Sequence, residues 1–232
     1  MKKFTYEDYK QLLQAFIDRG YTFVSFNELF REKTDLTVNI FHPIDVGLQF
    51  LPRMAQIDHE HKIRSTFHLS VVSRLYNLFS PQSQAVIQGL LNLNHHIGLH
   101  WDIESDISKE DQFSILGDLV RPFPLDGMTE HRPPSRQSPL GDITYFADSR
   151  GKWRYGHPLD SQEFKEGKQM GLAVHPFLYS EYKSERKITA RMHSILATET
   201  WANMQLTLVK LCEEEREFQM ESMVDINAGL SG

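Results

Sequence analysis

The segment Leu91–Asp102 reads Leu-Asn-Leu-Asn-His-His-Ile-Gly-Leu-His-Trp-Asp and holds three histidines within six residues. In an extended chain successive side chains point to opposite faces, so His96, Gly98 and His100 share one face while mostly apolar residues share the other. A helix would scatter these side chains over its surface. The pattern predicts a strand that delivers an imidazole to the acidic loop beyond it. A buried strand with hydrogen-bonded histidines and no chemistry would give the same pattern.

Predicted strands alternate with predicted helices on both sides of this segment. The predicted strands outside it are Tyr21–Phe26, Leu36–Asp45, Arg64–Ser70, Ile143–Phe146 and Met170–His175. The predicted helices are Thr5–Arg19, one that follows Asp45, one that begins at Ser80-Pro81, Ser108–Val120 and a mostly helical stretch from Tyr182 to about Ser222. The region between Pro122 and Ile143 is predicted to be rich in loops. Such alternation is typical of a mainly parallel sheet wrapped by helices.

Candidate reactive residues recur at the ends of the predicted strands. Asp45, His100 and His175 each end one, and the pair His131-Arg132 is a candidate for the same kind of position. Parallel sheets gather their reactive groups at the carboxyl ends of the strands. We therefore expect these side chains to meet at one edge of the sheet.

Composition narrows the class of protein. The chain has 232 residues, of which 40% are hydrophobic and 24% charged, and we expect a single domain over residues 1–232. The formal net charge of −6 argues against a general binder of nucleic acid or of anionic membranes. A single cysteine, Cys212, excludes an intramolecular disulfide. No segment has the pattern of a signal peptide or of a membrane span, so we expect a cytoplasmic protein.

Several motifs along the chain form a recognisable set. They are Phe4–Tyr9 with Gly20–Phe23, Phe41–Asp45, Arg64–Phe67, His95–His100, Asp148–Arg154 and His175-Pro176. In these motifs the chain resembles the polysaccharide deacetylase superfamily, in particular the WbmS-like deacetylase-like proteins of surface-polysaccharide gene clusters. The likeness covers most of the chain, and the central histidine motif and the Asp-Ser-Arg-Gly-x-Trp-Arg run are its more specific parts.

The resemblance implies a distorted (β/α)7 barrel, an α/β fold, and a divalent metal that is usually zinc. It implies hydrolysis of the N-acetyl group of an amino sugar or a polysaccharide precursor. Carried over by position, Asp45 matches the metal-binding aspartate and His100 the first metal-binding histidine. His175 matches the general acid, and Arg132 resembles the arginine that orients the general base.

Two departures from the family pattern leave the activity open. The general base aligns with Pro43, which cannot accept a proton, and the second metal-binding histidine aligns with Glu104. His131 is the competing third ligand and, with His42, a candidate replacement base, although strand alternation places His42 on the face opposite Asp45. One hypothesis is therefore a metal-dependent hydrolase of an acylated amino sugar. The alternative is a relative that has lost catalysis and binds a carbohydrate or a partner protein.

Three other groups are predicted to have structural roles. Asp148 and Arg150 are expected to fix a loop through a salt bridge. Trp153 is expected to pack within a loop rather than to stack on a sugar. The run Asp58–His61 consists of residue types that bind metals, but it is expected to form a solvated helix surface.

Overall fold

The computed structural model describes residues 4–31, 34–130, 143–148 and 152–181, all within a compact unit that spans residues 1–188. His131, Arg132 and Arg150 lie outside the described residues, as does the helix predicted from Tyr182. The expectation of one domain over residues 1–232 stays a prediction.

Within the described residues, seven strands form one sheet in which every pair is parallel, and the sheet curls into a half-barrel. The strands are β1 (Thr22–Phe23), β2 (Thr37–Pro43), β3 (Thr66–Leu69), β4 (His96–Trp101), β5 (Met128–Glu130), β6 (Thr144–Ala147) and β7 (Met170–Ala173). Their order is β5-β4-β3-β2-β7-β6, and β1 pairs with the beginning of β2. The predicted α/β class and parallel sheet are confirmed at this level.

Helices connect most of these strands. They are α1 (Tyr6–Asp18), α2 (Phe26–Arg31), α3 (Leu51–Glu60), α4 (Pro81–Asn92), α5 (Lys109–Val120) and α6 (Gln162–Glu166). Three of them begin where the sequence indicates, because Thr5, Ser80 and Ser108 each accept a hydrogen bond from the amide three residues later. Short 3₁₀ turns at Leu48–Phe50, Pro158–Asp160 and Pro176–Leu178 complete the connections.

The bounds of β2, β3 and β7 differ from the sequence-based prediction by one or two residues, and larger differences occur at two places. The strand predicted over Tyr21–Phe26 ends at Phe23, because the Phe26 amide donates to the Asp126 carboxylate at 2.7 Å and α2 begins there. Asp126 is distant in sequence, so no local pattern could reveal this cap. The second difference is β5, which forms in the region predicted to be loops. Its short segment is held by hydrogen bonds to β4 rather than by a pattern of its own.

The two faces of the sheet pack differently. The outer face of β2 packs against α1 and α3 through a large apolar cluster. On the inner face aromatic rings lie over glycines: a Cβ atom added at Gly98 would collide with the His68 ring, and one at Gly171 with the Tyr145 ring. These rings fill the inside of the half-barrel below the carboxyl edge. The edge itself therefore remains the accessible part of the inner face.

His68 lies at the centre of this inner packing. Its side chain is fully buried and contacts the rings of Phe26 and Phe41 edge-on. Among the described residues neither nitrogen makes a hydrogen bond; the Asp126 carbonyl is near the ring but outside bonding geometry. Burial, followed by the charges of neighbouring histidines, holds the pKa of His68 well below its usual value.

This burial predicts a stability that falls in acid. The unfolded chain binds a proton at His68 below about pH 6.5, whereas the folded chain does not, so the free energy of unfolding decreases by up to about 1.4 kcal/mol per pH unit from this group. Urea unfolding at pH 8 and pH 5.5 measures the difference. We expect a smaller difference in His68→Leu than in the wild type, since altered packing affects both pH values alike. Equal differences in the two proteins would contradict the prediction.

Candidate active site

The carboxylate of Asp45 lies between two imidazoles at the carboxyl edge of the half-barrel. Its Oδ1 atom is 3.1 Å from Nε2 of His100, and its Oδ2 atom is 3.6 Å from Nε2 of His175. Asp45 follows β2 by two residues, His175 follows β7 by two, and His100 is the penultimate residue of β4. The structure therefore brings together the three side chains that the sequence places at strand ends. Asp45 keeps 30% of its side chain exposed, so the site is open to solvent.

The orientation of His100 is fixed by the neighbouring strand. His100 points to the inner face of β4, where its register partner on β5 is Thr129. Nδ1 of His100 lies 2.9 Å from the Thr129 hydroxyl oxygen, which can either accept or donate the hydrogen bond. This contact directs Nε2 toward Asp45. The arrangement matches the pattern in which one ring nitrogen of a metal-binding histidine is held by a neighbour and the other faces the metal.

His175 is held by a buried carboxylate. Its Nδ1 donates to Oδ1 of Asp148 at 2.6 Å, and its backbone amide donates to the same carboxylate at 3.0 Å. Asp148 follows β6 directly, is fully buried, and also accepts a hydrogen bond from the Tyr179 hydroxyl. Because β6 and β7 are neighbours, the residues that follow them lie side by side. The Nε2 atom of His175 is left facing Asp45.

The electrostatics of this pair favour a protonated imidazole. Burial alone lowers the pKa of His175, but the hydrogen bond to Asp148 and the charges of Asp148 and Asp45 outweigh burial, so the pKa is raised above its usual value. His175 is thus suited to hold a proton on Nε2 and to deliver it to a group bound beside Asp45.

Tyr76 fixes the peptide that precedes Asp45. Its hydroxyl donates to the Ile44 carbonyl at 2.8 Å and accepts from the Ser70 amide at 2.9 Å. The ring is buried in the apolar cluster around β3 and β4, and burial raises its pKa. The loops after β2 and β3 are therefore joined beside the site.

Asp45 and His100 provide two donors that fit a divalent metal. Bonds from zinc to histidine nitrogen and to carboxylate oxygen are about 2.0–2.2 Å long, so atoms 3.1 Å apart can both reach one ion. A zinc site needs at least one more protein ligand or several waters. Among the residues that the structure describes, no group of three or more His, Cys, Asp or Glu side chains is arranged to hold a metal ion. The third ligand stays a prediction.

Glu104 and His131 remain the two candidates for that ligand. Glu104 lies in the exposed loop after β4, where its amide donates to the Asp102 carboxylate at 2.9 Å. His131, also a candidate base, lies outside the described residues, as does Arg132. Their proposed roles stay predictions.

The structure excludes His42 as the replacement base. His42 points to the outer face of β2, opposite Asp45, and is fully buried. Its Nδ1 contacts the Val174 carbonyl at 2.8 Å and its Nε2 contacts Asp58 at 2.9 Å, so neither nitrogen can reach a substrate. The expectation that Asp58 is solvated is also wrong. Asp58 is fully buried, because α3 turns that side chain toward the outer face of β2.

Sequence reasoning missed the role of Asp148. Arg150, the expected partner of Asp148, lies outside the described residues, and the observed partner of Asp148 is His175. A signal was present, because Asp148 comes two residues after the predicted strand Ile143–Phe146 and so lies near a strand end, as Asp45 does. Trp153 packs against Phe4 and His157, in agreement with a packing role.

Comparisons of the chain with models of protein families, with curated proteins and with solved structures find no match. The resemblance to polysaccharide deacetylases therefore stays a prediction. In the described ranges, no helix combines the length and the apolar character needed to cross a bilayer.

Removing the charge of Asp148 should lower the pKa of His175. In Asp148→Asn the carboxylate that raises this pKa is gone, while burial, which lowers it, remains. NMR titration of the His175 ring in metal-free protein measures the shift. Asp45→Asn is the matched control, and we expect a smaller decrease there, since Asp45 is 3.6 Å from the ring and Asp148 is 2.6 Å from it. An unchanged titration in Asp148→Asn would contradict this account.

Proposed function

We propose that the chain is a divalent-metal-dependent hydrolase of the polysaccharide deacetylase type, which removes an acyl group from the nitrogen of an amino sugar or a polysaccharide precursor. The observation that carries the proposal is the meeting of Asp45, His100 and the His175–Asp148 pair at the carboxyl edge of a parallel half-barrel. The Asp45 carboxylate and the His100 imidazole, which suit a cation, lie next to the His175 imidazole, which suits proton delivery.

Asp45 and His100 would hold the metal, and zinc is the ion we expect. When bound, such an ion supplies Lewis-acid polarisation of the acyl carbonyl and lowers the pKa of a bound water. The exposure of Asp45 leaves room on its solvent side for a substrate. Glu104 or His131 would complete the ligand set.

His175 would act as the general acid. Breaking a carbon–nitrogen bond of an amide requires a proton on the departing nitrogen, because an unprotonated amine anion is a very poor leaving group. Nδ1 of His175 is held by Asp148, so the transferable proton is the one on Nε2, which faces Asp45. Asp148 keeps the ring in this orientation before and after the transfer.

The general base is the missing component. Pro43, at the position of the family's base, has no group that accepts a proton, and His42 faces the wrong side of the sheet. His131 is the remaining candidate. The Pro43 substitution also favours the alternative function, in which the site binds a carbohydrate or a partner without turning it over.

Metal binding should depend on Asp45 and His100. We expect one zinc per chain in the wild type and at least a tenfold loss of affinity in Asp45→Ala and in His100→Ala, since each removes a donor. Titration calorimetry with zinc and metal analysis of the purified proteins measure this. Glu104→Ala tests the third ligand: a similar loss supports Glu104, and unchanged affinity favours His131. Equal metal content in wild type, Asp45→Ala and His100→Ala would refute the site.

Restoring a carboxylate at position 43 should raise hydrolysis. We expect zinc-loaded Pro43→Asp to release acetate from N-acetylated amino-sugar oligomers faster than the wild type, because the new side chain lies on the inner face. The same protein with His175→Gln is the matched control and should lose about 10²–10⁴-fold in rate while it keeps its metal. Absence of acetate release from both wild type and Pro43→Asp, with zinc bound, would favour the binding function.

A further inference from the structure

The hydrogen-bond ladder between β2 and β7 stops one residue before the candidate site. Phe41 is in register with Ala173, and the last ladder bond runs from the Val174 amide to the Phe41 carbonyl at 2.9 Å. In a parallel ladder the next bond would run from the amide of residue 43 to the Val174 carbonyl. Residue 43 is proline and has no amide hydrogen. The carbonyl that immediately precedes His175 therefore receives no backbone hydrogen bond from β2.

The side chain of His42 takes the place of that missing amide. Its Nδ1 atom lies 2.8 Å from the Val174 carbonyl oxygen. A carbonyl oxygen can only accept a hydrogen bond, so Nδ1 is the donor. Because the pair is completely buried, a carbonyl left without a donor would be costly.

A second contact holds the ring in place from its other side. Nε2 of His42 lies 2.9 Å from the Asp58 carboxylate, which also accepts hydrogen bonds from the hydroxyls of Tyr9 and Ser65, both at 2.6 Å. Both ring nitrogens of His42 thus have a partner. Nε2 contacts Asp58 on α3, and Nδ1 contacts the carbonyl of Val174, the residue that precedes His175.

We propose that His42 is a positioning residue for His175. Its Nδ1–H replaces the strand hydrogen bond that Pro43 removes, and it thereby fixes the peptide from which the His175 ring reaches Asp148 and Asp45. An effect of His42 on catalysis rests on the proposed function. Its effect on the position of His175 concerns only the folded chain, and it can be tested without substrate or metal.

Two substitutions separate the two contacts of His42. The amide nitrogen of asparagine occupies about the position of Nδ1 in histidine, whereas that of glutamine occupies about the position of Nε2. His42→Asn therefore keeps a donor for the Val174 carbonyl and loses the contact with Asp58. His42→Gln keeps the contact with Asp58 and leaves the carbonyl without a donor.

The readout is the proton on Nδ1 of His175, whose short hydrogen bond to Asp148 should give a resolved downfield NMR signal in metal-free protein. We expect the signal to stay in His42→Asn and to shift or disappear in His42→Gln. A role in overall stability alone would affect both variants alike.

Restoring the backbone amide should rescue only one of the two variants. In Pro43→Ala the amide of residue 43 can donate to the Val174 carbonyl, so adding this change to His42→Gln should recover the His175 signal. It should also recover about tenfold in the folding equilibrium constant from urea unfolding, which is the order of cost of one unsatisfied buried carbonyl. The same change added to His42→Asn should recover neither quantity.

Loss of the signal in both single variants, or failure of Pro43→Ala to rescue His42→Gln, would overturn the proposal. If His42→Gln does not fold, recovery of folding in the double variant counts as rescue. If neither single variant folds and Pro43→Ala restores folding to neither of them, the proposal is wrong. These results do not depend on hydrolysis, so they stand or fall separately from the proposed function.

Discussion

The strands in the described part of the chain all run in one direction, and the candidate site depends on this constraint. Parallel strands carry their carboxyl ends to the same edge, so the residues after β2, β6 and β7 arrive beside the end of β4. Asp45 can contact His100 and His175 only if β2 lies between the strands that carry them, with β3 and β7 as its immediate neighbours. The packed aromatic rings inside the half-barrel close the space below and leave the edge as the accessible part of the inner face.

Strand β2 separates two histidine–carboxylate systems that have opposite properties. At its carboxyl end, on the open edge, Asp45 meets His100 and His175 and remains partly exposed. On its outer face, His42 meets Asp58 with no exposure at all. The same residue types thus form a solvent-accessible site on one side and hold α3 against the sheet on the other. Burial and satisfied hydrogen bonds, rather than residue type, distinguish the two systems.

Pro43 acts on both the chemistry and the backbone of this strand. Its ring replaces the carboxylate that the family resemblance leads one to expect, and its missing amide ends the ladder with β7. Pro176, immediately after His175, also lacks an amide and cannot continue the ladder from its side. Backbone pairing between β2 and β7 therefore ends before Asp45 and His175, whose side chains face one another at 3.6 Å.

The sequence by itself determined the alternation of strands and helices, the parallel sheet, and the positions of Asp45, His100 and His175 at strand ends. Period-two patterns and terminal polar residues are local, so they can be read without knowing which strands are neighbours. Tertiary structure alone decided that β6 lies beside β7, which pairs Asp148 with His175, and that α3 covers the outer face of β2, which buries Asp58 against His42. These contacts join residues 27 and 16 positions apart. Only the order of strands and the packing of helices on the sheet, which no local pattern encodes, could bring them together.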